Sequence, residues 1–193
     1  MIRFESQLLP RNDGSSFNSI IADGLLNAQK FIWITSAITR DFRIYSKVRG
    51  KAVPFSEVIR TIRNQGVDIN FLVSVERKDW LGKRNALYLK LMNQQGIEFR
   101  FCSRIHMKVI IVDGKWLYLG SANITSAGLG ADTRKGKNNF EVGIVSSDRV
   151  AILELAQLFK EIWTGEHCQG CYRKKQGQCP GIQSLTDADR PFI

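Results

Sequence analysis

The chain has 193 residues, of which 44% are hydrophobic, and its 28 Lys and Arg residues against 18 Asp and Glu residues give a net charge of +10. This length fits one domain with a short appendage, no run approaches the roughly 20 apolar residues that span a bilayer, and the first residues lack the apolar core of a secretion signal. We therefore expect a cytoplasmic protein with no membrane segment, and the charge favours a polyanionic partner, either nucleic acid or an anionic membrane surface.

Helix and strand patterns alternate through the first half of the chain. Apolar residues at helical spacing predict helices over 15–30, 55–66 and 85–96, and the second of these has Ser56 as its cap and Gly66 as its terminator. Each predicted helix is followed by a short run rich in β-branched and aromatic residues, which predicts a strand: 31–38, 67–74 and 97–102. This order predicts an α/β fold in which a mixed, largely parallel central sheet is flanked by helices on both faces.

The segment 104–125 reads as two apolar strands around Asp113 and Gly114. Asp-Gly between apolar residues is the strongest short-range signal for a two-residue hairpin turn. With that turn, Val112 pairs with Lys115, and continuing the register places Lys108 opposite Leu119 and His106 opposite Ser121.

The last elements predict where the domain ends. A polar, basic stretch, 131–139, is expected to be an exposed loop, 140–147 a strand, and 148–165 an amphipathic helix capped by Asp148 and ended by Gly165. The remaining residues show no periodicity. We therefore predict one main domain over 1–165 and a small basic tail over 166–193.

The tail carries Cys168, Cys171 and Cys179, with His167 beside the first of them. A C-x2-C step is the usual spacing for two thiolates that chelate one tetrahedral ion. In a chain without a secretion signal such clustering indicates metal more than disulfides. We expect a structural zinc site, with an iron–sulfur cluster as the alternative. The fourth ligand is left open between His167, Cys102 and another residue.

Side chains alternate between the faces of a strand, so the predicted hairpin places His106, Lys108, Ser121 and Asn123 on one face at its open end. An ammonium and an amide can hold phosphate oxygens as charge accumulates on them. An imidazole can attack phosphorus or transfer a proton near neutral pH. Asp113 is seven residues from His106 and belongs to the turn, where its carboxylate can bond nearby amides. We therefore predict a structural role for Asp113.

The spacing His106-x-Lys108-x4-Asp113-x6-Gly120-Ser121-x-Asn123 resembles, at every defined position, the HKD motif of the phospholipase D superfamily. The resemblance implies that Lys108 and Asn123 bind phosphate, that Ser121 supports the site and that Gly120 is structural. It also implies that Glu141, in the downstream segment NNFEVGIV, orients His106.

Members of this superfamily use two HKD motifs about a two-fold axis. One histidine forms a phosphohistidine, and the other protonates the leaving oxygen and then activates water, so that catalysis needs no metal. This chain has one motif and no internal repeat. The resemblance therefore implies a homodimer with a shared active site.

Single-motif members that resemble this chain are mostly small nucleases. Its charge and two basic segments, 77–84 and 131–139, favour contact with a nucleic-acid backbone. One alternative is a non-catalytic nucleic-acid-binding subunit of a larger restriction, defence or repair complex, and the other is a phospholipid hydrolase. The residues expected to contact nucleic acid are Arg77, Lys78, Lys83, Arg84, Arg134, Lys135 and Lys137.

Overall fold

A computed structural model describes residues 3–9, 19–46, 51–74, 88–131, 137–179 and 182–184. Six of the seven basic residues expected at the nucleic acid lie outside these ranges: Arg77, Lys78, Lys83, Arg84, Arg134 and Lys135.

The described residues form ten strands, most of them short. Their bounds are β1 Gln7–Leu9, β2 Phe31–Ser36, β3 Arg43–Ser46, β4 Lys51–Pro54, β5 Asp68–Val73, β6 Glu98–Phe101, β7 Lys108–Val112, β8 Trp116–Gly120, β9 Gly143–Ser146 and β10 Gln183–Ser184. Eight strands make one sheet in the order β1-β9-β8-β7-β2-β5-β6-β10, and β3 pairs with β4 in a separate hairpin.

The helices are α1 Phe55–Asn64, α2 over 88–94, α3 Arg149–Thr164 and the short α4 Tyr172–Lys175. The predicted mixed α/β sheet is confirmed, and its parallel part consists of β2, β5 and β6. The other ladders of the sheet are antiparallel. Among the parallel strands, α1 precedes β5 and α2 precedes β6, as in a β-α-β connection.

Helix ends follow the sequence signals closely in three cases out of four. The side chain of Asp148 accepts hydrogen bonds from the first turn of α3, and Gly165 ends that helix with φ 82°. Gly66 follows α1 with φ 92°, as predicted. The predicted cap of α1 is wrong, because Asp41 accepts hydrogen bonds from both the backbone N–H (3.0 Å) and the hydroxyl (2.9 Å) of Ser56. A remote carboxylate therefore satisfies this helix end.

The first predicted helix, 15–30, is irregular where it is described. It consists of a π-helical turn, Ser19–Gly24, and a 3₁₀ turn, Leu25–Asn27. The Asn27 amide donates to the carbonyls of Ala22 and Asp23, which competes with regular helical hydrogen bonding.

Both faces of the sheet are buried. On one face Ile32, Ile34 and Ile110 belong to a large core with α1 and α2, and on the other Val109 and Ile111 pack against α3. Such burial on two sides explains why every residue of β7 is buried and why its sequence is apolar from Val109 to Val112, after the buried Lys108.

The predicted register of the β7–β8 hairpin is wrong by one residue. Val112 pairs with Trp116 and Lys108 with Gly120, so Lys115 also belongs to the loop. Asp113 (φ 55°) and Gly114 (φ 65°) both adopt the left-handed conformation, as a two-residue turn requires, but the strands resume one residue later. His106 therefore precedes β7 and is not paired with Ser121, and the site is not assembled on one strand face.

The tail joins the main sheet. β10 pairs antiparallel with β6, and Ile182 packs with a small core that contains Phe159. The sequence carries no periodic signal for so short a strand, and β1, β3 and β4 were likewise not predicted.

Candidate phosphodiester-cleaving site

His106 and Lys108 form the centre of the site at the start of β7. The imidazole of His106 is exposed, whereas Lys108 is only 6% exposed. The ammonium Nζ lies 3.4 Å from His106 Nδ1 and donates to the His106 carbonyl at 2.6 Å. The solvent-accessible imidazole of His106, which can act as a nucleophile or carry a proton, therefore lies next to the positively charged ammonium of Lys108, whose position is fixed by its hydrogen bond.

The charge of Lys108 is largely removed from water. Burial lowers the pKa of Lys108, and the negative charge of Glu141 partly offsets this effect. Within the described ranges no carboxylate forms an ion pair with this ammonium. A buried cation without a direct counter-ion favours an anionic ligand, because such a ligand restores the interactions that water would supply.

The end of β2 holds the chain on both sides of Lys108. The buried hydroxyl of Thr35 accepts from the Val109 N–H at 2.9 Å and donates to the Met107 carbonyl at 3.2 Å. This polar side chain in an apolar strand therefore positions the lysine without contacting it.

Ser36, the next residue of β2, positions Asn123. Its hydroxyl lies 3.2 Å from Asn123 Oδ1 and accepts from the Ile124 N–H at 3.1 Å. The Ile38 N–H donates to the same Oδ1 at 3.1 Å. Because an N–H can only donate, this bond fixes which end of the amide is the acceptor and leaves the Nδ2 donors for another ligand.

Sequence reasoning missed Thr35 and Ser36. A signal was present, because two polar residues end a buried strand at its carboxyl edge, where α/β sheets bind ligands.

Ser121 and Glu141 form a second polar group. The Ser121 hydroxyl donates to Glu141 Oε2 and accepts from the Val142 N–H at 3.0 Å. Asn139 donates to the other carboxylate oxygen at 3.0 Å. Glu141 therefore contacts Ser121 and Asn139, and the structure shows no hydrogen bond between it and the His106 of the same chain.

Gly120 occupies a position with no room for a side chain. A Cβ there would lie 2.7 Å from the Val142 carbonyl and would overlap the ring of Tyr118. Tyr118 is 2% exposed, and burial raises its pKa to about 12, so it packs as a neutral core residue. The glycine of the motif thus lets β8, β9 and this ring approach closely.

Asp113 lies in the turn, as predicted, but its carboxylate bonds a distant part of the backbone and not nearby amides. It accepts the N–H groups of Gln29, Lys30 and Phe31, each at 2.8 Å. Burial raises the pKa of Asp113, but these bonds and the charge of Lys115 outweigh it and hold the pKa below its usual range. Asp113 thus holds the start of β2 against the far end of β7.

We expect Asp113→Asn to destabilise the fold by about 1–3 kcal/mol, because one acceptor oxygen becomes an amide that faces an N–H donor. Urea unfolding measures this loss. Since the carboxyl pKa is lowered in the folded state, its contribution is complete at neutral pH and declines as the pH falls through that pKa. The variant should lack this acid dependence and keep its turnover number. A stable but inactive Asp113→Asn protein would contradict the structural role.

The structure brings together some of the predicted site residues. His106 contacts Lys108, Ser121 contacts Glu141, and the charge of Glu141 acts on Lys108. Asn123 is held at the same edge of the sheet by the end of β2. Of the basic loop, Lys137 is described and is exposed.

The four cysteines line one cavity of about 180 Å³, together with Arg104 and Lys174. Within the described ranges, no three His, Cys, Asp or Glu side chains lie close enough to hold one metal ion. His167 also lines the cavity, but its Nε2 lies 3.0 Å from Glu161 Oε2. The predicted ligand set of Cys168, Cys171, Cys179 and His167 is therefore not assembled around a single ion.

No helix in the described part of the chain has the length and apolar character needed to cross a membrane.

Comparison with known proteins identifies the fold. A family profile described as "Cardiolipin synthase, PLD-like domain" matches residues 21–163. Nuc from Salmonella typhimurium, a phospholipase D family member, superposes with a TM-score of 0.60 at 19% identity, covering 83% of this chain and 95% of that one. NucT from Helicobacter pylori gives a TM-score of 0.59 at 15% identity, with 82% and 95% covered.

A third neighbour is TrmBL2, an archaeal chromatin protein with a novel mode of DNA binding. It gives a TM-score of 0.50 at 15% identity, with 82% of this chain and 52% of that chain covered. Sequence comparison with curated proteins gave no match.

At these identities the solved structures establish the fold alone, whereas the family profile spans most of the chain and includes every residue of the motif. The resemblance expected from the HKD spacing is confirmed. The chain belongs to the phospholipase D-like family, a superfamily of phosphodiesterases.

Proposed function

We propose that this protein is a cytoplasmic, metal-independent nuclease that cleaves the DNA or RNA backbone at a site shared by two subunits. The observation that carries the proposal is the exposed imidazole of His106 beside the buried ammonium of Lys108. A phosphodiester brings an electrophilic phosphorus for the first group and anionic oxygens for the second.

The first step forms a covalent intermediate. One His106 nitrogen attacks phosphorus, the bond from phosphorus to the leaving oxygen breaks, and a second histidine gives that oxygen its proton. In the second step the same histidine removes a proton from water, whose oxygen attacks phosphorus and releases His106. Lys108 and Asn123 hold the non-bridging oxygens as negative charge builds on them.

The second histidine has to come from another chain, because each chain has one motif. An apolar surface beside the site supports this assembly. Phe140 is 97% exposed and Val142 is 59% exposed, and they flank Glu141. Exposed apolar side chains next to a polar site favour burial against a partner. Glu141 makes no hydrogen bond to the histidine of its own chain. In the shared site it would be free to orient the histidine of the other chain.

Nucleic acid is favoured as the substrate because the charge is +10 and Lys137 is exposed at the end of the basic loop. The names of two neighbours, Nuc and NucT, also favour a nuclease, and both share this fold over 95% of their own length.

Two other functions have a specific observation behind them. The description of the family profile names cardiolipin synthase, which favours phospholipid chemistry. TrmBL2 is a DNA-binding chromatin protein with the same fold, which favours a non-catalytic binding subunit. Release of phosphatidate from vesicles would support the first. DNA binding without cleavage would support the second.

We expect cleavage of labelled single- or double-stranded DNA or RNA to continue in EDTA, because histidine supplies the nucleophile and acid and Lys108 supplies the charge. Gel electrophoresis of the four substrates, with and without EDTA, measures this. The result would be contradicted by activity that disappears in EDTA and returns with magnesium alone. The His106→Ala protein, prepared in parallel, controls for a contaminating nuclease.

A further inference from the structure

The cysteine-containing tail has a defined local structure. Cys168 and Cys171 are the ends of a type II turn, in which Gly170 (φ 76°) is the residue that needs the left-handed conformation and the Cys171 N–H bonds the Cys168 carbonyl at 3.3 Å. Such a turn brings its two end residues close together. The C-x2-C spacing is therefore realised as a chelating turn.

A second glycine returns the chain to the same place. Gly177 (φ 68°) ends α4, and the N–H groups of Gly177 and Gln178 bond the carbonyls of Lys174 and Arg173, which is a Schellman motif. The chain reverses there and delivers Cys179, which is 6% exposed.

The fourth cysteine comes from the main sheet. Cys102 follows β6 directly, and its N–H bonds the Val73 carbonyl at the end of β5 at 3.0 Å. Arg173 of the tail donates to the Ser103 carbonyl, next to Cys102. Four cysteines from two distant parts of the chain thus line one cavity.

The dimensions of this site distinguish between one ion and a cluster. Four thiolates around one zinc lie about 3.8 Å apart, because each Zn–S bond is about 2.3 Å long. Here no three potential ligands among the described residues are arranged around one ion. The cavity of about 180 Å³ is also far larger than the roughly 10–15 Å³ that a single water needs. In a four-iron iron–sulfur cluster each cysteine sulfur binds a different iron, so the four ligands surround a larger body than a single ion.

Positive groups surround the cavity. Arg104 donates towards Cys171 Sγ at 3.9 Å, and Lys174 also lines the space. Such groups offset the negative charge of four thiolates, and donors near the sulfurs stabilise a bound cluster.

We propose that Cys102, Cys168, Cys171 and Cys179 ligate one iron–sulfur cluster, which fastens the tail to the end of β6. Each thiol loses its proton when it binds iron. The four cysteines lie outside the HKD motif, and the cluster takes no part in phosphodiester cleavage.

The test is metal and sulfide analysis of the full chain purified without oxygen, or reconstituted with equal amounts of ferrous and ferric iron and with sulfide. We expect stoichiometric iron and acid-labile sulfide, together with a broad visible absorption band. Cys102→Ser should lose most of the iron and the absorption although it lies 66 residues before Cys168. Limited proteolysis should also cut the tail of this variant faster than the tail of the wild-type protein.

His167→Ala is the matched control, because this side chain lines the cavity but pairs with Glu161. It should keep the iron and the absorption. Stoichiometric zinc without sulfide would overturn the proposal, as would the absence of metal after reconstitution or full iron retention by folded Cys102→Ser. Circular dichroism establishes that each variant is folded.

Discussion

Replacing His106 with alanine is expected to abolish turnover, by about 10⁴-fold or more, which is the scale of removing a catalytic nucleophile. The exposed His106 has one side-chain hydrogen-bond partner among the described residues, Lys108 at 3.4 Å. Its loss should therefore leave the stability nearly unchanged. Single-turnover cleavage of labelled DNA or RNA and thermal unfolding measure the two effects.

The chain has only two histidines, so His167→Ala is a natural control for loss of an imidazole. His167 pairs with Glu161 and lies outside the HKD motif. It should retain wild-type turnover. Near-normal activity of His106→Ala, freed of contaminants by refolding, would refute the mechanism.

The second large effect should appear when active and inactive chains are mixed. A shared site needs one histidine as nucleophile and another as acid. A mixed dimer of one wild-type and one His106→Ala chain has only one of these two histidines. With nine mutant chains for each wild-type chain and free exchange, about a tenth of the wild-type chains meet a wild-type partner in a C2 dimer. Activity per wild-type chain should fall to about this fraction.

Exchange has to be demonstrated in the same samples, for which two affinity tags and sequential capture are sufficient. Mixing with His167→Ala chains provides the control, because those chains keep His106 and should not lower the activity. If activity per wild-type chain stayed constant while mixed dimers formed, each chain would have a complete site of its own.

Much of the fold followed from local signals. The apolar strands β2, β5 and β7 and the capped helix α3 were predicted because burial and capping depend on neighbouring residues in the sequence. The predicted cap of α1 was wrong because the group that accepts the hydrogen bonds at this helix end, Asp41, lies 15 residues before Ser56. β10 was not predicted because a strand of two residues is too short to show an alternation of apolar and polar residues.

The candidate site was predictable in its residues more than in its geometry. The spacing of the motif predicts His106, Lys108 and Asn123 as site residues, but the hairpin register depends on whether Lys115 is in the loop, which Asp-Gly alone does not determine. Thr35 and Ser36 act through hydrogen bonds to residues more than 70 positions away. Such pairings are set by the sheet, and a sequence shows them only once its strand order is known.

The bonds at the two ends of β2 explain why the spacing between Lys108 and Asp113 is fixed. β2 and β7 run antiparallel, joined at one end by Asp113 and the Phe31 N–H and at the other by Thr35 and the Val109 N–H. One residue added to either strand would leave one of these joints mismatched and would turn the following side chains to the opposite face. The number of residues between the lysine and the aspartate of the motif is therefore set by the length of the strand that pairs with β2. This part of the motif reflects a requirement of folding and not of catalysis.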